Sequence, residues 1–242
     1  MPSFTGLGHS ERWGSTTGRQ LWRQSLLTAT VRVFCDVCNN GWMSDIEAAA
    51  KPVVGPMVAG RAMTLDGAAQ RTVANWVVLK GIVAVQTSRT EQFIPANRYG
   101  EIYSAKGAPA NTVHVWLGCR NNFASPTHPG RLQLFDSHFM PLTNVPRGFP
   151  TPPWLNEYVR SGGTIYATIF QVGHVFGLAF HHQLPGLEAR PIPGSVGDGA
   201  FASIWPAGGD VRWPPPHAVD GLGDPHRVTQ FFAMKPPDNT PP

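Results

Sequence analysis

Cys35 and Cys38 stand two residues apart in the stretch FCDVCNNGWM, residues 34–43. A close cysteine pair supports three kinds of chemistry: thiolate ligation of a metal, reversible disulfide exchange, or none, as two ordinary buried thiols. Zinc takes four tetrahedral ligands with sulfur at about 2.3 Å, so one Cys-x-x-Cys supplies half of a site. The third cysteine, Cys119, closes the alternating run NTVHVWLGC (111–119) and is a second source of sulfur, with a buried thiol as its plainer role. His174, His181 and His182 are a further donor set, brought together if the segment 163–182 folds back on itself. Trp205 and Trp213 flank the Gly-rich stretch PAGGD and suit either core packing or stacking on bases. No Gly-rich phosphate loop, Ser-His-Asp order or nucleophile elbow is present.

These residues need elements to hold them. TATVRVFC (28–35) alternates as a short strand running into the cysteine pair. A helix follows, with Asn39 or Asn40 as its cap and Trp42, Ile46 and Ala49 on one face. Its positive end is expected to lower both thiol pKa values. Pro52 and Pro56 are expected to end or kink it. A second helix is predicted from Asp66 to about Val85, its apolar face interrupted by Lys80 and its last turn weakened by Gly81. A short helix is predicted over 95–105. From about residue 111 the pattern turns to strands: 111–119, a hairpin around Gly173, 201–206 and 211–216. Asp224 and Pro225 suggest a final helix over 224–234.

The chain has 242 residues, of which 42% are hydrophobic and only 14% charged. That is enough for a sizeable core. Gly and Pro (26 and 24) argue for many turns and against a helical bundle. The fold class expected is α+β. A flexible N-terminus (1–19) precedes a knuckle and helix (20–60), a helical and antiparallel-β region (61–235) and a disordered tail (236–242). The net charge of +4 and an arginine bias over only four lysines fit phosphate binding, and equally fit the codon bias of a GC-rich genome. No run resembles a signal peptide or a membrane span, so no membrane partner and a cytoplasmic, reducing location are expected. There a close cysteine pair favours metal or redox use over a structural disulfide.

The stretch VRVFCDVCNNGWMSDIE (31–47) resembles the second half of a variant HNH endonuclease module. In that family a β-hairpin and a helix form a ββα-metal unit, and this subgroup continues Cys-x-x-Cys with Asn-Asn-Gly-Trp-Met-Ser. The resemblance implies that Cys35 and Cys38 hold structural zinc together with an earlier cysteine pair. It implies that Asn39 helps bind a catalytic divalent cation such as Mg²⁺, which stabilises the leaving group of a phosphodiester. DNA is the partner implied. The chain departs from the family upstream. Residues 1–34 contain no cysteine, and nothing matches the Asp/Glu-His-x-x-Pro stretch that carries the general base; His9 lacks that context. Three accounts stay open: a start upstream of Met1, a non-catalytic descendant, or a site completed by a second chain.

Overall fold

In the computed structural model, residues 35–87, 100, 103–104, 109–123, 135–141, 153–161, 163–184, 186–195, 197–222 and 232–235 are described. The expected N-terminus, most of the 28–35 strand, most of the 95–105 helix and the tail lie outside them.

A short helix, α1 (Asp36–Asn40), is followed after Gly41 by α2 (Trp42–Val58). Neither Asn39 nor Asn40 caps a helix. Cys35 caps α1 and Gly41 precedes α2, because Cys35 itself is extended and its sulfur takes the cap bond. Pro52 and Pro56 do not end α2. An interior proline costs about 3 kcal/mol or more. The stripe Met43, Ile46, Ala50, Val54 and Met57 is buried at helical spacing, and a large apolar side chain returns about 1.5–3 kcal/mol when fully buried. The stripe therefore outweighs both prolines. It also lies one residue away from the expected Trp42–Ile46–Ala49 face: Ile46 is shared, Trp42 is half-buried and Ala49 is exposed.

A short strand, β1 (Met63–Leu65), leads into α3 (Gly67–Thr87), the long helix expected from Asp66. The Asp66 carboxylate accepts from the Ala69 amide at 2.8 Å, an N-terminal cap. Helix α3 lies across a five-stranded antiparallel sheet in the order β3-β4-β5-β2-β7. The strands are β2 (Val113–Cys119), β3 (Phe135–Pro141), β4 (Tyr166–Val172), β5 (Val175–His181) and β7 (Phe201–Trp205). The protein is therefore α+β, with the hairpin β4–β5 turning at Gly173 and His174.

Both faces of this sheet are covered. Val113, Val115, Leu117, Phe170, Val175 and Ala179 join Val73, Val77 and Ile82 of α3 and the α2 stripe in one core. On the other face Ile169, Phe176, Leu178, Phe180 and Phe201 pack with Phe232 and Val219. That second layer is carried by the ribbon of β6 (Glu188–Pro191) and β9 (Phe232–Lys235) and by a 3₁₀ turn (Val219–Leu222). Residues 232–235 are thus strand where a helix over 224–234 was expected. The Phe232 side chain stacks edge-on to Trp116 and Phe201, which an extended segment along β6 permits. A last helix, α4 (Pro153–Arg160), buries Leu155 against Ile165 and Leu187.

At Gly81 α3 lies close against β4. A Cβ there would fall 2.3 Å from Thr168 Oγ1 on β4. The residue that weakens the helix on propensity grounds is the one that lets it lie close.

Strand β8 (Val211–Trp213) pairs antiparallel with β1, Met63 opposite Trp213. The Gln70 side chain reinforces this junction. Its amide nitrogen donates to Leu65 O at 2.8 Å and to Gly209 O at 2.9 Å.

Candidate functional site

The cysteine pair forms a compact turn. Cys35 has extended backbone (φ −65°, ψ 154°), and its Sγ accepts the Cys38 amide at 3.3 Å. The Asn39 amide donates to Cys35 O at 2.9 Å, and Gly41 to Val37 O at 3.0 Å. A Cβ at Gly41 would meet Val37 O at 2.6 Å, so the turn from α1 into α2 requires glycine after Asn40. Cys35, Asp36, Val37 and Asn39 are exposed; Cys38 is half-buried against the edge of the core.

The two thiols differ. Hydrogen bonds from Cys38, its side chain first and then its amide, lower the Cys35 pKa. The same side-chain contact raises that of Cys38, which holds its proton to give it to Cys35. The expectation that both would fall is therefore half right, because one shared proton stabilises one thiolate at the other's expense. Trp42 works in the opposite direction on Cys38. Its indole N–H is buried, has no oxygen or nitrogen partner, and favours the Cys38 thiolate. The Trp42 ring meets Tyr103 edge-on at 6.3 Å.

Two thiol donors fit half of a tetrahedral zinc shell. Among the described residues no three of His, Cys, Asp and Glu gather where a metal would need them. Cys119 does not join the pair. It is 4% exposed, its sulfur contacts Asn121 Oδ1 at 3.6 Å, and burial, with the Asp220 charge behind it, pushes its pKa up to about 11.

The three histidines do not converge either. His174 sits in the hairpin turn, where Nδ1 is 2.8 Å from Arg120 O. His181 ends β5, about 20 Å away along a seven-residue strand. Its ring stacks on Tyr166 at 4.5 Å, whereas His182 stacks on His114 at 5.2 Å. Alternation sends neighbours to opposite faces. His114 donates to Leu187 O at 2.7 Å, and burial lowers its pKa. Trp213 is 1% exposed in the core, and the half-buried Trp205 donates from Nε1 to Ala110 O at 3.3 Å. Both are packing residues.

Sequence reasoning missed three features. The Trp42 N–H facing Cys38 has no signal beyond its spacing of four. The ion pair between Lys80 of α3 and Glu47 of α2 was signalled by Lys80 on an otherwise apolar face. The Asp220 carboxylate accepts the Asn121 amide at 3.0 Å and the Asn122 amide at 2.9 Å, a clamp across 98 residues that no local pattern reveals.

These features define an α+β protein in which a two-helix unit headed by a cysteine turn packs on an antiparallel sheet. No family model, curated protein or solved structure matches the chain. Among the described residues no helix is long and apolar enough to cross a membrane.

Proposed function

We propose that this chain carries the second half of an HNH-endonuclease-like module, associates with DNA, and hydrolyses phosphodiesters weakly or not at all as it stands. The observation that carries this reading is the Cys35–Cys38 turn. It runs from extended backbone into a helix, its amide-to-sulfur bond favours a thiolate at Cys35, and Asn39 is exposed directly after it. Cys35 and Cys38 would hold structural zinc, and Asn39 would contribute an oxygen to a divalent cation. Such a cation, when bound, stabilises charge on the leaving oxygen. Asn39 itself can only ligate or orient, since an amide is no base. The residue that would draw a proton from water has no match in the sequence, and this is why little turnover is expected. The net charge of +4 supports attraction to phosphate.

A second reading is favoured by the donor count: a non-catalytic module that binds nucleic acid or protein, with the cysteine pair as a relic. Plasmid DNA incubated with the chain and Mg²⁺, Mn²⁺ or Ni²⁺ separates the two. The proposal expects salt-sensitive binding, with any nicking lost in Asn39→Ala. Nicking untouched by that substitution removes Asn39 from the mechanism. No binding even at low salt removes DNA as the partner.

A further inference from the structure

We propose that Cys35 and Cys38 of two copies of this chain close around one zinc ion, so that the protein is a zinc-linked two-fold dimer. The inference rests on the reading of this pair as a zinc knuckle and adds what completes it.

The first argument is the count of donors. The pair offers two sulfurs, zinc takes four ligands, and no third His, Cys, Asp or Glu stands with them among the described residues. The chain's only other cysteine ends β2 and is sealed in the core. The second argument is symmetry. A tetrahedron has a two-fold axis that exchanges one pair of its corners with the other pair. An isologous contact between copies therefore presents two equivalent pairs of sulfurs to one ion on the axis. The third is the surface around the pair. Cys35 is exposed and Val37, between the two cysteines, is 83% exposed, the highest among the large apolar residues described. Across the proposed axis each Val37 is brought to the other copy's turn and loses water contact. Asp36, exposed on the same turn, adds like charge on both sides of the axis. The contact therefore needs the metal to hold. On assembly each of the four thiols releases its proton to solvent, and four S–Zn bonds form with no change of oxidation state.

The test starts from the full 242-residue chain, reduced and stripped of metal, titrated with zinc chloride. Mass in solution is followed by light scattering, bound zinc by elemental analysis, and ligand type by the absorption of a Co²⁺-substituted sample. The proposal expects a monomer that becomes a dimer with one zinc per two chains, and a Co²⁺ spectrum of four thiolates. The free-zinc midpoint should fall as chain concentration rises. Cys35→Ser and Cys38→Ser should each stay monomeric while keeping the wild-type circular dichroism, since neither residue belongs to the buried core. One zinc per monomer that requires both cysteines would overturn the two-chain site and leave the knuckle reading standing. No zinc at equimolar metal would overturn both. A dimer that persists in Cys35→Ser without metal would overturn the zinc link.

Discussion

Alkylation of the reduced, metal-free chain at pH 8 should sort its three cysteines. A thiol at the ordinary 9.0 is about one-tenth thiolate at that pH, while Cys119, raised to about 11, is about one-thousandth thiolate. Ionisation alone therefore slows Cys119 about 100-fold. A more basic thiolate is a better nucleophile, and a Brønsted slope of about 0.5 returns about 10-fold of that. The remaining factor of about 10 is multiplied by burial, because a sulfur in a residue only 4% exposed must wait for β2 to open. Cys35 has the opposite profile, exposed and with its pKa lowered by Cys38. Mass spectrometry of peptides after timed iodoacetamide quenching should show Cys35 modified first. Cys119 should follow at least about 100-fold more slowly, and the difference should shrink to a few-fold in guanidinium. Native rates for Cys119 and Cys35 within about threefold of each other would refute the placement of Cys119 and reopen it as a metal ligand.

Three further outcomes follow from the fold. Cys119 holds its proton more tightly folded than unfolded, so its contribution to stability is full below pH 9 and is lost as pH rises from about 9 to about 11. Urea unfolding should show an alkaline decline worth about 2–3 kcal/mol, and Cys119→Ala should flatten it. Gly81→Ala gains about 1 kcal/mol of helix propensity but forces a Cβ onto Thr168, an overpacking cost of about 1–3 kcal/mol. Calorimetry should show a Tm lowered by a few degrees, with part of the loss recovered in Thr168→Ala. Asp220→Ala removes the acceptor of two backbone amides and should destabilise by about 1–2 kcal/mol, with Asp220→Asn in between.

Much of the sheet was legible because its strands obey local rules. The segment 111–119 alternates, and the run 163–182 breaks at Gly173, where the chain turns. Helix α3 was legible from its length. The errors arise where tertiary packing overrides a local rule. Pro52 and Pro56 break helices on average, but the buried stripe below them keeps α2 intact. Residues 232–235 are too few to show a period, and β6 decides their state. Within the candidate site the sequence located the cysteine turn and its helix. The division of one proton between two thiols, and the isolation of Cys119, depend on distances that spacing does not encode.

The β1–β8 pair joins residues about 150 positions apart. This has a consequence for birth on the ribosome. At about 5–20 residues per second, β1 and the start of α3 are made roughly 8–30 seconds before β8 emerges. Through that interval Leu65 has no strand beside it and the Gln70 amide lacks its Gly209 partner. The apolar side of α3 likewise waits for β4 and β5. The early chain is thus an apolar helix without a lid, the kind of segment that chaperones hold. Completion is a late, long-range event, so truncation before Trp213 would leave an aggregation-prone chain in place of a smaller folded one.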